Sequence, residues 1–325
     1  MPRSVVVRRS NCLALIVGLS CVVALASRAQ AVGWGPTDFL ITGAPNFPDR
    51  IGVFDQSFAF KGYLDQNFLG VQGMDFDAQG NLVAQASLST NPEVRVYSPS
   101  GTRIGGFFTN NPSLQFTGDL KVAPDGNYAF GSFTAGVQVY TPGGTFVRQY
   151  GSGDSRGITY LPGNRLWSGG AGTTVHVFDM ISGAQVGTFT ADQQTMSYSM
   201  QYSAMTNTVL VVDADRDLGG VFERALTGTL LHQFHVPIPQ TDCTGATRGP
   251  GGHVFGTTDD FFADVVDWRP DGPVARTIDV YPVEITPVRI LWAGLVPEPQ
   301  STGLLTAITA LYLIRTVRSR ERPRI

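Results

Sequence analysis

The sequence predicts an all-β protein: a six-bladed β-propeller closed by a C-terminal strand, flanked by an N-terminal signal helix and a short C-terminal transmembrane helix. Three observations carry this. One stretch, Thr117 to Tyr150, reads as four short strands separated by turn residues. Its turn markers recur along the chain at nearly constant spacing. One strand is left over after the last repeat, where a closed ring needs it.

In the four-strand unit, Asp119 to Val122 is a short alternating strand, and Pro124-Asp125-Gly126 turns it. Asn127 to Phe130 runs back. Gly136 to Tyr140 alternates Val137 and Val139 with Gln138 and Tyr140, the period of two of a strand. Pro142-Gly143-Gly144 turns again, into Phe146 to Tyr150. Four antiparallel strands in about forty residues are the dimensions of one propeller blade. A lone blade cannot bury both faces, so blades must stack.

The last turn of the unit is the ruler. Its markers are Ser57, Gly101, Gly144, Gly183, Gly228 and Gly272, spaced 44, 43, 39, 45 and 44 apart. The earlier turn recurs at Gly80, Gly126, Gly163, Asn207 and Gly252, one copy fewer. The repeats therefore begin inside a blade, at Phe39-Leu40-Ile41, and end near Ile278 with Val288 to Trp292 unpaired. That orphan completes the first blade as its innermost strand and hides the sheet edges. Trp34, Trp167, Trp268 and Trp292 fall on separate strand segments, as inter-blade packing residues would.

Composition agrees. Charged residues are 15% of the chain, against about 25% in an average protein. Of 23 basic and 26 acidic residues, nine basic and two acidic lie in the termini, leaving 14 against 24 between them. An acidic body whose only lysines are Lys61 and Lys121 makes a poor phosphate binder, which excludes nucleic acid as a partner class. Cys12 and Cys21 fall in the leader, so Cys243 has no partner for an intramolecular disulfide.

At the N-terminus, Arg3, Arg8 and Arg9 precede an apolar run from Leu13 to Ala26, followed by Ala29-Gln30-Ala31. This is the order of a secretory signal peptide cleaved after Ala31, with Ala29 and Ala31 the small residues at the cut. The run is short for a membrane anchor, which needs about 20 residues. Three segments follow: signal peptide 1–31, propeller 32–295 and tail 296–325.

The tail reads Val296-Pro297-Glu298-Pro299, then an apolar run from Gly303 to Ile314, then five arginines between 315 and 324. A stiff Pro-Glu-Pro punctuates the end of the folded body. The apolar run enters a bilayer but spans it marginally, and the arginines stay on the cytoplasmic side. This order resembles the PEP-CTERM sorting tail of Gram-negative bacteria. The resemblance implies recognition of the inner-membrane tail by an exosortase-type membrane protease, cutting near Pro-Glu-Pro. It also implies release to the cell surface or the extracellular space, in association with exopolysaccharide.

Candidate chemistry is sparser. Gly153-Asp154-Ser155-Arg156-Gly157 matches the G-x-S-x-G pattern, but a nucleophile elbow needs a following helix, and here the next blade's inner strand follows. Asp213, Asp215 and Asp217 alternate as in the opening of a calcium loop, where carboxylates converge on a hard cation. Leu218 stands where that loop wants glycine. Asp259 and Asp260 occupy the equivalent turn of the last blade, and with Asp154, Asp192 and Asp242 they make one rim acidic. His232 and His235, three apart on a strand, point to opposite faces.

The segments 122–128 and 136–144 look like NHL-type repeats. That architecture includes lactonases and lyases whose metal ligands sit on inner strands facing the channel. The inner strands here offer Asp75, Asp119, Lys121, Arg156, Arg248 and Arg289, with no His and no Glu. The sequence therefore reads as an exported binding or structural module with no catalytic set; surface polysaccharide is its candidate partner and calcium its candidate cofactor. The competing reading is a metal-dependent, lactonase-like hydrolase or lyase using the acidic rim.

Overall fold

The computed structural model describes residues 32–295 except 44–49, 66–67, 69, 87–91, 110, 112–113, 115–116, 193–195, 215–218, 238–241, 259–263 and 281–286. The described residues form six four-stranded antiparallel sheets. Five are built from consecutive strands. The sixth joins Phe39–Gly43, Ile51–Phe54 and Phe60–Asp65 to Pro287–Trp292. The expected closure is there, with Phe39 opposite Trp292, Leu40 opposite Leu291 and Ile41 opposite Ile290. We number this composite sheet blade 1 and the rest 2 to 6 in chain order.

The inner strands of blades 2 to 6 are Val71–Phe76, Thr117–Val122, Gly157–Leu161, Ser197–Ser203 and Cys243–Arg248. Each touches the next around a circle that Pro287–Trp292 completes. Burial falls off radially. Leu82–Ala86 and Tyr128–Ser132, second strands of their blades, are buried along their whole length, whereas outermost strands such as Phe146–Tyr150 and Val274–Asp279 are mostly exposed. The inner and second strands pack on a neighbouring blade through both faces, so their burial is nearly continuous and not alternating.

The core is a set of inter-blade seams. Leu40, Met74, Leu82, Tyr97 and Leu291 fill the seam between blades 1 and 2. Trp167 packs with Met200 and Val209 of blade 5. Trp268 packs with Leu210, Val212 and Cys243, and its Nε1–H donates to the His235 carbonyl at 2.9 Å. Trp34 joins the seam between blades 1 and 2. Burial beside Trp268, between blades 5 and 6, holds the Cys243 thiol protonated, its pKa pushed up to about 12.

The turn ruler has a conformational basis. Gly101, Gly144, Gly183, Gly228 and Gly272 all have φ between +76° and +104°. The first marker needs correction. The left-handed residue of the first outer turn is Phe58, at φ +66°, and not Ser57. Its N–H donates to the Asp55 carbonyl at 2.9 Å, as Gly101 N–H does to Ser98. A phenylalanine there costs about 1–2 kcal/mol. Its ring stacks 4.5 Å from Phe39 and 5.5 Å from Phe255 of blade 6, and burying it returns about 2–3 kcal/mol.

The expected signal peptide (1–31), the expected sorting tail (296–325), each with its expected helix, and Asp259-Asp260 lie outside the described residues. Among the described residues no helix is long and apolar enough to cross a membrane.

Removing Pro287–Trp292 leaves Phe39–Gly43 as a bare edge between two apolar seams. The expected outcome is insoluble protein, or loss of the single cooperative transition in a urea titration followed by tryptophan fluorescence. A truncated chain with the full-length midpoint would show that the ring closes without this strand.

Candidate functional site

The inner strands place their residues in layers around the axis. Blades 2, 3, 5, 6 and 1 each carry a bulge at the same height, at Gln72, Gly118, Tyr198, Thr244 and Val288. This fixes the correspondence between strands.

One layer seals the axis. It contains Gly73, Gly157 and Gly245 from blades 2, 4 and 6, alternating with Asp119, Ser199 and Arg289 from blades 3, 5 and 1, all buried. A Cβ on Gly73 would sit 2.5 Å from that of Leu120, and one on Gly245 would sit 2.8 Å from the Val288 carbonyl. Glycine at these positions lets the inner strand of the next blade approach closely. The Arg289 guanidinium donates to the carbonyls of Gly118 in blade 3, Thr244 in blade 6 and Tyr198 in blade 5, and lies 4.8 Å over the Tyr198 ring. Asp119 Oδ2 accepts from Ser199 Oγ at 3.2 Å and Met200 N–H at 3.1 Å, and its Oδ1 pairs with Lys121 Nζ at 2.9 Å.

Two places further along each strand lie Asp75, Lys121, Thr159, Gln201, Thr247 and Leu291. Here the blades are tied in a belt: a side-chain oxygen of one blade accepts the backbone N–H of the next. Asp75 Oδ2 takes Val122 N–H at 2.8 Å and Thr159 Oγ1 takes Tyr202 N–H at 3.0 Å. Gln201 Oε1 takes Arg248 N–H and Thr247 Oγ1 takes Trp292 N–H, each at 3.3 Å. Asp75 also accepts Phe76 N–H through Oδ1 at 2.9 Å.

Beyond the belt the channel opens into a cup of about 1050 Å³ on the face carrying the first turn of each blade. Phe76, Tyr160, Tyr202 and Trp292 are half-buried in its wall, and Asp75, Lys121 and Gln201 lie deeper. Solvent reaches Asp75 only down this cup. Burial raises its carboxyl to about pH 6, against the opposing pull of Lys121 and the two amides. Burial likewise pushes the Tyr160 phenol well above the ordinary range.

The residues singled out in the sequence scatter. Asp75, Asp119, Lys121 and Arg289 do meet at the axis. Arg248 turns away into the seam with blade 5, bonded to Glu223 and to the Gly252 carbonyl. Arg156 faces the opposite mouth, paired with Asp154 at 2.9 Å and stacked 4.2 Å over Phe133. Asp213 is fully buried, with Oδ1 accepting Met196 N–H at 3.1 Å, while Asp215 and Asp217 lie outside the described residues. Among the described residues no three His, Cys, Asp or Glu side chains gather as a metal requires. Ser155 sits, as expected, in the connection between Phe146–Tyr150 and Gly157–Leu161, with its N–H bonded to the Ser132 carbonyl. His232 and His235 are both exposed. Thr159, Gln201 and the aromatic wall went unread in the sequence, and only the register between blades finds them.

No protein-family model matches the chain, and no curated protein matches it. Among solved structures it is similar to a Bacteroides caccae protein of unknown function, at 12% identity and TM-score 0.59, over 79% of this chain and 98% of that one. It is also similar to the β-propeller domain of Myceliophteria thermophila Cps50 (Swd1), at 14% identity and TM-score 0.57, over 77% and 85%. At such identities the likeness is one of fold.

Two outcomes are expected. Arg289→Ala strands three inward-facing carbonyls and should lower unfolding stability by about 3 kcal/mol, read from urea titration. Asp75 should titrate near pH 6 in carboxyl-carbon NMR, against 3.8 for an unperturbed side chain. Between those values the folded state binds more protons than the unfolded, so the contribution of Asp75 to stability falls as pH rises and stays reduced above 6. Asp75→Asn loses this dependence. From pH 4 to pH 8 the wild type should lose stability relative to the variant, and a constant difference would mean that the carboxyl is fully solvated.

Proposed function

We propose that this chain is an exported, surface-displayed propeller that binds its ligand in the cup and does not transform it. The observation that carries this reading is the commitment of the ionisable groups at the axis. Asp119 and Lys121 neutralise one another, Arg289 is spent on carbonyls of three other blades, and Asp75 holds two backbone amides. A general acid or base must be within reach of substrate and free to exchange a proton. Asp119 and Arg289 are fixed as structure below the cup, and Asp75, which titrates near pH 6, has both carboxyl oxygens on backbone amides; what faces a ligand is an aromatic wall with a few polar atoms, the make-up of a binding pocket.

The address rests on the sequence: a signal peptide ending at Ala31, and a tail of Val296-Pro297-Glu298-Pro299, an apolar run and arginines. On this reading an exosortase-type protease removes the tail, and the body is displayed among surface polysaccharide, its partner. Asp213, Asp215 and Asp217 stay in the proposal only as a calcium-stabilised turn.

Fractionation of cells making the tagged chain tests the address. The tail-free body should appear outside the inner membrane, and Pro297→Ala with Glu298→Ala should leave a tailed form in it. Recovery of the intact tail in the cytoplasm would end the proposal. Tyr202→Ala should weaken retention on the organism's own polysaccharide about tenfold, as loss of one aromatic anchor does.

A further inference from the structure

The belt of blade-to-blade hydrogen bonds is broken at two steps, after Leu291 and after Lys121, and only the second leaves the next amide without a side-chain oxygen. In blades 3, 5, 6 and 1 the amides of Val122, Tyr202, Arg248 and Trp292 each have a side-chain oxygen from the preceding blade, and in blade 2 Phe76 N–H has its own Asp75. Blade 4 is different. The corresponding amide is that of Tyr160, which stands opposite Leu166 in its sheet as Val122 does opposite Tyr128 and Tyr202 opposite Val209. Its N–H therefore faces the same inner edge. The residue that should serve it is Lys121, and an ammonium has three donors and no acceptor. Lys121 and Tyr160 both line the cup. The cup thus presents a backbone donor beside an ammonium that spends one proton on Asp119.

Resting on the reading of the cup as the binding site, we propose that an uncharged, hydroxyl-bearing ligand, the end of a neutral saccharide chain, completes the belt by placing a ring oxygen or hydroxyl on Tyr160 N–H and Lys121. The atom that fits is an oxygen acceptor, since both protein groups donate. It is not anionic, because Asp75, Asp77 and Asp125 line the cup, and not cationic, because the Lys121 ammonium and the Tyr160 N–H both donate toward it. A hydroxyl suits the place further, because it accepts from the amide while donating toward Thr159 or Asp75. The rings of Phe76, Tyr202 and Trp292 stand where the apolar face of a pyranose would lie. Only a chain end enters, because the Asp119–Ser199–Arg289 layer closes the cup from below.

The test uses the full chain, 15N-labelled, and the methyl glycosides of glucose, galactose and mannose with N-acetylglucosamine as probes, glucuronate being the acidic control. At saturation by a neutral sugar the Tyr160 amide should shift, and exchange more slowly, beyond the amides of Val122, Tyr202, Arg248 and Trp292. Asp119→Asn with Lys121→Gln puts a carboxamide where blade 5 has Gln201. It should weaken sugar binding about tenfold, one hydrogen bond's worth, with cooperative unfolding retained. If that pair misfolds, the wild-type amide response decides alone. Binding that leaves the Tyr160 amide unmoved, or a preference for glucuronate, overturns the acceptor assignment and leaves the cup as the binding site. Binding that also survives Tyr202→Ala places the sugar elsewhere and overturns both readings, while no binding by any neutral probe overturns the saccharide assignment.

Discussion

The inner strands of this protein have one hydrogen-bonded neighbour each within their own sheet, and their other edge faces the axis. Six rows of backbone amides and carbonyls converge there, out of reach of water at mid-depth. Buried backbone groups must be paired, so the axis has to be filled with polar side chains rather than apolar ones. Arg289 and Asp119 meet the need at one height, and Asp75, Thr159, Gln201 and Thr247 meet it at the next. Much of the rest follows. Glycine in alternate blades lets neighbouring inner strands come close, and Arg289, on the closing strand, ties the first blade to blades 3, 5 and 6.

That arrangement explains why chemistry-bearing residues on the inner strands do not amount to a catalytic centre. Asp75, Asp119 and Arg289 have backbone partners to hold, and holding them fixes their position. Only above the belt, where the channel widens and solvent enters, do side chains face a space larger than themselves. Function and fold meet at that boundary, in Asp75 and Lys121, which belong to both.

The architecture was legible because its punctuation is steric. A turn that needs positive φ selects glycine or asparagine wherever it falls, so the markers kept their spacing while the strands between them changed. The closing strand followed from counting. Phe58 escaped the ruler because a packing contact between blades outweighed the local preference. The candidate site was legible only in part. Asp75, Asp119, Lys121 and Arg289 could be assigned to inner strands, but Arg248 and Arg156 shared that assignment and point elsewhere. The belt had no sequence signature, since its acceptors are an Asp, two Thr and a Gln with nothing in common but an oxygen, placed by register across blades. The termini lie outside the described residues, and their reading as signals rests on the order of charge, apolar run and proline in the sequence alone.

The buried layer at Arg289 divides the two ends of the molecule. No solute can pass along the axis, so the propeller is not a conduit. The mouth with Arg156, Asp154 and Phe133 lies on the other side of that layer from the mouth with Tyr202 and Trp292. A ligand or partner at one end therefore makes no direct contact with one at the other, and a single ring carries two separate surfaces.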